Sequence, residues 1–250
     1  MLIGILQCGH TSGRVAARHG DFDDMFRRLL GGHGHEFRTW NVVDMEFPDG
    51  PGDAEAWLVT GSKHGAHEDH PFIPPLEDLI RAVRDAGVPM VGVCFGHQII
   101  AQALGGTVEK YAGGWGLGRT AYRIEGLGTA HVTGWHQDQV VELPQSARVV
   151  GRSDHCATAA LAYGNRIWTI QPHPEFGADV TATYVEDKRG TLDYPHALMD
   201  LAEAALGQPL DGARVAALML DVLEGRGVPQ PETEPETGAE TGAEMEAARA

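Results

Sequence analysis

The feature that most constrains the fold is the alternation of short apolar runs with amphipathic segments over the first hundred residues. The runs LIGILQC (2–8), AEAWLVTG (54–61) and VPMVGVC (88–94) have the length and apolar character of buried strands. Between them, DFDDMFRRLLGG (21–32) and PPLEDLIRAVRDAG (74–87) have helical spacing, open on acidic residues or proline, and end at glycine. This alternation predicts an α/β fold with an open, mainly parallel sheet flanked by helices.

The pattern changes after residue 107. Shorter, alternating runs follow, and they predict antiparallel strands appended to the sheet: TVEKYA, RTAYRIEG, DQVVELP, RVVGRS, CATAALAYG and RIWTIQPH. Helical spacing returns over 178–225. From Val228 the chain is rich in Pro, Glu, Thr and Ala, with six Glu and one Arg. The sequence therefore predicts a main domain over 1–176, a helical extension packed on it over 177–227, and a disordered acidic tail over 228–250.

Charge and cysteine content exclude several classes of protein. The net charge of −16 argues against a surface that binds nucleic acid or an anionic membrane, since both need clustered Lys and Arg. The three cysteines are too few and too scattered for a disulfide framework. The apolar start ends after about seven residues without a basic lead, which predicts a first strand rather than a signal peptide. We expect a cytoplasmic, reduced protein.

One cysteine, Cys94, lies between two glycines in GVCFG, where a buried strand meets a helix. This spacing is the G-x-nucleophile-x-G form of a nucleophile elbow, in which small neighbours allow a sharp turn that exposes the central side chain. The N-terminus of the following helix favours a thiolate. The alternative is a buried cysteine at a strand end, a frequent place for cysteine.

A thiolate nucleophile needs a base, and the base needs a group that orients it. The run RIWTIQPHPEF provides both residue types, because an apolar strand leads to His173 and then to Glu175. Pro172 and Pro174 stiffen the chain on either side of the histidine. The spacing predicts an imidazole and a carboxylate held together at the end of a strand.

The motifs GVCFGHQ and QPHPE together resemble those of the class I (triad) glutamine amidotransferases, and the resemblance covers about residues 1–176. It implies a flavodoxin-like fold and a Cys-His-Glu triad that removes the γ-amide nitrogen of glutamine. Carried over to this sequence, Cys94 is the nucleophile, His173 the base and then the acid, and Glu175 the residue that orients it.

The resemblance also implies residues that stabilise the oxyanion and bind the substrate. The oxyanion donors are the backbone N–H of Phe95, directly after the nucleophile, and Gly61 at the end of LVTG. The substrate residues come from the helix one turn after the nucleophile and from the runs AGGWGLG and WHQDQV: Gln98, Trp115, Gly116, His136 and Gln137. Gln98 has the alternative role of an amide on the surface of the helix.

The run KHGAHEDH places histidines at 64, 67 and 70, a spacing that can indicate zinc. It lies in an acidic, glycine-containing loop without a convincing fourth ligand, so we expect no metal. The sequence contains neither a G-x-x-x-x-G-K-[ST] phosphate loop nor a G-x-G-x-x-G dinucleotide motif, and we expect no cofactor.

Three functions remain open. The S-G-G-x-D-S motif of the ATP-pyrophosphatase part of GMP synthases does not occur in the sequence. The chain could therefore be a free-standing, GMP-synthase-like subunit that hydrolyses glutamine and passes ammonia to a separate synthase. It could instead be a self-sufficient hydrolase of γ-glutamyl peptides or amides, since its elbow resembles that of plant γ-glutamyl peptidases. The third possibility is a non-catalytic regulatory or binding relative.

Overall fold

The computed structural model describes residues 1–11, 13–191 and 194–229. The strands are β1 (Leu2–Leu6), β2 (Glu36–Trp40), β3 (Ala56–Val59), β4 (Met90–Val93), β5 (Thr107–Lys110), β6 (Gly116–Ile124), β7 (Gly128–His136), β8 (Asp138–Glu142), β9 (Ala147–Arg152), β10 (Ala160–Tyr163) and β11 (Ile167–Ile170). The helices are α1 (Gly13–His19), α2 (Phe22–Leu30), α3 (Ile73–Asp85), α4 (Phe95–Ala103), α5 (Ala178–Lys188), α6 (His196–Ala204) and α7 (Gly212–Leu223).

Nine strands form one sheet in the order β2-β1-β3-β4-β11-β10-β9-β6-β7. The five strands from β2 to β11 are mutually parallel. The four strands from β10 to β7 continue the sheet in antiparallel fashion. The predicted fold class is confirmed: a parallel central sheet with antiparallel strands appended to one side. Strands β5 and β8 form a separate two-stranded ladder.

Three details of the sequence prediction were wrong or incomplete. The run RIWTIQPH, expected among the appended antiparallel strands, forms β11, which pairs in antiparallel fashion with β10 but in parallel with β4. All four residues of β11 are buried, as is typical of a parallel strand covered on both faces. A strand's direction depends on the path that the chain takes to reach it, and a short run does not contain that path. Strand β7 and helix α1 were not predicted, because glycine and polar residues interrupt their apolar pattern.

Helices cover both faces of the central sheet, and β3 illustrates the arrangement. Ala56 and Leu58 belong to a core that includes Phe26 of α2 and Met219 of α7. The other two residues of the strand, Trp57 and Val59, belong to the opposite core with residues of α3 and α4. Successive strand residues point to opposite faces, which explains the division. With both faces covered, the carboxyl edge of the parallel strands is the region where a ligand can approach.

Helix α7 contacts α2, β4, β7 and β11, and α5 contacts α1 and α6. The division into a domain over 1–176 and an extension over 177–227 stays a prediction. From residue 230 onward, the predicted acidic tail lies outside the described residues. Among the helices that the structure describes, none is both long enough and apolar enough to cross a membrane.

Candidate active site

Cys94 lies in the turn between β4 and α4 and has a backbone φ of 53° and ψ of −104°. A non-glycine residue in such a conformation costs about 1–3 kcal/mol and persists only where its surroundings hold it. The flanking positions must be glycine because neither has room for a Cβ atom. A Cβ on Gly92 would lie 2.6 Å from the carbonyl oxygen of Gly96, and a Cβ on Gly96 would lie 2.2 Å from that of Val59. The turn therefore has the sharp geometry predicted from GVCFG.

The pairing of β4 with β11 brings the two sequence motifs together. Val93 and Ile170 are register partners, and the N–H of Cys94 donates to the carbonyl of Ile170 over 2.9 Å. A few residues further on, the N–H of His173 donates to the carbonyl of Thr133 over 2.8 Å, which fixes the backbone of the histidine. Residues almost eighty positions apart in sequence thus meet at the carboxyl edge of the sheet.

His173 and Glu175 form a buried pair. The Nδ1 of His173 lies 2.7 Å from Oε1 of Glu175, and their side chains are 4% and 0% exposed. The ring of Phe176 stacks on the imidazole with centroids 4.1 Å apart. Burial lowers the pKa of His173, but the negative charges of Glu175 and Cys94 together outweigh it, and the net effect is a raised pKa. The surroundings thus favour the imidazolium form of His173.

Gly61 and Phe95, the two expected oxyanion donors, flank Cys94. A Cβ placed on Gly61 would lie 3.0 Å from Cε1 of His173 and 3.8 Å from Cβ of Cys94, so the Gly61 backbone borders the gap between these side chains. Phe95 is the first residue of α4, where a backbone N–H has no acceptor within the helix. Both positions are compatible with donation to an oxyanion formed at Cys94.

A cavity of about 720 Å³ opens beside Cys94 and His173. Four of the five expected substrate residues line it: Gln98, Trp115, His136 and Gln137. The fifth, Gly116, is not among the lining residues. A Cβ there would lie 2.9 Å from Nε2 of His136, so the glycine leaves room for that imidazole.

Two of these lining residues are held in fixed positions. The Nε2 of Gln98 donates to the carbonyl of Asp138 over 2.8 Å and to Oε1 of Gln171 over 3.2 Å. The Nδ1 of His136 lies 3.3 Å from the same carbonyl. Burial, followed by the nearby charge of His155, lowers the pKa of His136 to about 3, so its imidazole is neutral. With Nδ1 as the donor, its buried Nε2 is left as an acceptor without a partner among the described residues.

Much of the cavity wall consists of residues that the sequence motifs did not indicate. The additional lining residues include aromatic and basic side chains from several separate segments: Phe22, Lys63, Lys110, Trp135, Phe176, Tyr184, Lys188 and Tyr194. The aromatic residues could not be assigned to one site from the sequence because they are far apart in it. The rarity of lysine, which occurs three times in the chain, was a signal that could have been used.

The histidines at 64, 67 and 70 do not converge as a set. The Nδ1 of His67 lies 3.7 Å from Oδ2 of Asp138. The side chain that joins His64 and His70 is that of Glu68 instead of His67. One ligand atom from each of these three residues lies within 4.8 Å of the others. We call His64, Glu68 and His70 the loop donor group. The group has donor atoms that suit a metal ion, and the expected absence of a metal stays a prediction.

The sequence pattern of the family "Glutamine amidotransferase class-I" matches residues 47–189. Gamma-glutamyl peptidase 4 of Arabidopsis thaliana is 31% identical over 177 residues, which cover 65% of this chain and 70% of that protein. A GMP synthase [glutamine-hydrolyzing] of a Thermotoga species is 28% identical over 165 residues, 62% of this chain and 31% of the synthase. The crystal structure of a glutamine amidotransferase from Methylobacillus flagellatus superposes with a TM-score of 0.71 at 20% identity, covering 93% of this chain and 96% of that one.

The fold defines an α/β protein with a cysteine on a tight turn at the carboxyl edge of a parallel sheet. Within that class, the chain belongs to the class I glutamine amidotransferase family.

Proposed function

We propose that this protein hydrolyses the γ-amide bond of glutamine or of a γ-glutamyl compound through a thioester on Cys94. The observation that carries the proposal is the arrangement of three side chains from two distant parts of the sequence. Cys94 is held on a strained turn, the buried His173 borders the same gap, and Glu175 lies 2.7 Å from the far side of the imidazole. Thiol catalysis needs these three groups: a nucleophile, a base and a residue that orients the base.

In the first half of the reaction, the Cys94 thiolate attacks the γ-carbonyl carbon, and the N–H groups of Phe95 and Gly61 stabilise the oxyanion. The carbon–nitrogen bond then breaks, and His173, as imidazolium, gives its proton to the departing amine. In the second half, His173 takes a proton from water, which attacks the thioester and releases glutamate. Glu175 keeps the imidazole oriented and stabilises its charged form in both halves.

The departing amine distinguishes two versions of this function. If the substrate is glutamine, the product is ammonia, and a separate synthase would use it, as the similarity to a GMP synthase suggests. If the substrate is a substituted γ-glutamyl amide, the protein acts alone, as the similarity to a γ-glutamyl peptidase suggests. The cavity volume lies in the range of about 300–1,000 Å³ found for sites that enclose a drug-sized ligand, so the cavity has room for a substituent on the amide nitrogen as the second version requires.

The proposal is tested by replacing Cys94 with serine, which keeps the size of the side chain but removes the thiolate. We expect hydrolysis of both glutamine and γ-glutamyl amides to fall by a factor of about 10³ or more, because a hydroxyl is far less acidic than a thiol. Cys8→Ser and Cys156→Ser are matched controls, since both cysteines are buried but lie outside the cavity wall. A Cys94→Ser protein with wild-type turnover would rule out the proposed mechanism.

A further inference from the structure

All three lysines of the chain line the same cavity. The other 16 of its 19 basic residues are arginines, and no arginine is among the lining residues in the part of the chain that the structure describes. The lysines come from separate elements: Lys63 from the loop after β3, Lys110 from the end of β5, and Lys188 from the end of α5. Two carboxylates, those of Glu68 and Asp138, also line the cavity. Cations therefore outnumber carboxylates here, although the chain as a whole carries −16.

Two of these lysines are available for a ligand. Lys188 pairs with Asp187, with Nζ and Oδ2 2.9 Å apart. Lys63 and Lys110 are exposed, and neither forms a salt bridge with any residue that the structure describes. A lysine is a compact charge on a flexible stem, so it can follow an anionic group over a range of positions. Unpaired cations on the wall of a cleft raise the local concentration of an anionic substrate.

A continuous row of rings leads away from the catalytic histidine. Successive ring centroids are 4.1 to 5.7 Å apart along the series His173, Phe176, Tyr184, Trp135, Tyr194 and Trp115. We call the last five residues the aromatic wall, and every one of them lines the cavity. Tyr184 and Lys188 are four residues apart on α5, so an aromatic side chain and a cation share one face of that helix. The wall offers apolar contact along the side of the cavity that begins at His173.

The charges of a γ-glutamyl group do not account for these lysines. The group carries one α-carboxylate and one α-ammonium, so it is neutral overall and needs one cation. A second unpaired lysine indicates a second carboxylate, and the aromatic wall indicates an apolar group beside it. An aromatic amino acid joined through its nitrogen to the γ-carbonyl has both features.

We propose that the preferred substrate is a γ-glutamyl derivative of an aromatic amino acid, whose two carboxylates, one on the glutamyl group and one on the amino acid, bind to Lys63 and Lys110 and whose ring packs on the aromatic wall. This inference rests on the proposed function, since the bond that breaks is the same γ-amide bond. Water is consumed, and the products are glutamate and the free amino acid, which leaves with the proton supplied by His173. No oxidant or other co-reactant is needed.

The test uses four substrates that differ only in the departing amine. The amines are phenylalanine, alanine and their two decarboxylated counterparts, phenethylamine and ethylamine. For the wild-type protein, kcat/KM of γ-glutamyl-phenylalanine should exceed that of γ-glutamyl-phenethylamine by about fivefold or more. It should exceed that of γ-glutamyl-alanine by about tenfold or more. The preference for the carboxylate should shrink as salt is added, because exposed cations are screened.

Variants separate the two parts of the site. In the double variant Lys63→Met and Lys110→Met, the preference for the carboxylate should fall to near one, while the preference for the ring remains. In Trp115→Ala, the preference for the ring should fall to near one, while the preference for the carboxylate remains. The control Arg152→Met removes an exposed cation that lies outside the cavity and should change neither preference. Each preference is a ratio measured on one protein, so a partly inactive preparation does not alter it.

The outcomes distinguish this inference from the proposed function. If the four substrates and glutamine are all inert with the wild-type protein, the proposed function fails. If they are hydrolysed but the carboxylate gives no advantage, or if the double lysine variant keeps the full advantage, the inference is overturned and the proposed function stands.

Discussion

Replacing Glu175 with glutamine tests whether the buried pair acts in catalysis, because it keeps the shape of the side chain and removes its charge. In the wild-type protein, Oε1 of Glu175 lies 2.7 Å from Nδ1 of His173, and neither side chain is appreciably exposed to solvent. A glutamine oxygen can still accept this hydrogen bond and hold the ring. The imidazolium beside Cys94 loses its compensating charge, however, so it becomes less favourable.

The magnitude follows from the type of contact. A hydrogen bond to a charged group contributes about 1.5–3 kcal/mol net and one between neutral groups about 0.5–1.5 kcal/mol, so losing the charge while keeping the bond costs about 1–1.5 kcal/mol. Each 1.4 kcal/mol corresponds to about a factor of ten in rate, and we therefore expect kcat/KM for a γ-glutamyl substrate to fall by about 5- to 12-fold. His173→Ala should cost more than Glu175→Gln, since it removes the base itself. The oxyanion donors remain in both variants.

The assay combines steady-state hydrolysis with alkylation of Cys94 by iodoacetamide across pH. The pH midpoint of alkylation should move upward in Glu175→Gln and again in His173→Ala, because a weaker or absent imidazolium stabilises the thiolate less. The control is Glu36→Gln, an exposed carboxylate at the start of β2, which should match the wild type in both measurements. If Glu175→Gln keeps kcat/KM within about twofold and its alkylation midpoint is unchanged, the pair is structural only and the coupling inferred here is wrong.

Three further predictions concern regions outside the triad. Removal of residues 230–250 should leave the melting temperature and turnover unchanged, because that composition can bury little apolar surface; a drop of several degrees on calorimetry would contradict this. EDTA should leave turnover unchanged, since thiolate attack needs no Lewis acid; loss of activity that zinc restores would instead place an ion at the loop donor group. Burial lowers the pKa of His97 from 6.5 to about 3, so its stabilising contribution is complete above pH 6.5 and is lost as the pH falls towards 3. Between pH 7 and pH 5, urea titration should therefore show the wild type losing about 2 kcal/mol more unfolding free energy than His97→Gln; equal losses would contradict it.

The central part of the fold could be predicted from local pattern. Strands β1, β3 and β4 and helices α2, α3 and α4 each lie within one short segment whose apolar spacing and end residues specify the element. The elbow could be predicted for the same reason, because the two glycines that permit the turn lie two positions before and two positions after Cys94. The pairing of His173 with Glu175 was also local, since the two residues are separated by a single proline.

Tertiary structure alone decided how distant segments meet. The direction of β11 and its place beside β4 depend on the crossover between them, and this pairing brings His173 to Cys94. The cavity wall has the same origin, because the aromatic wall and the three lysines come from segments spread between residues 63 and 194. Periodicity reports which face of an element is buried, but it carries no information about which remote segment covers that face. The catalytic motifs were therefore readable from the sequence, whereas the shape and charge that would select a substrate required the fold.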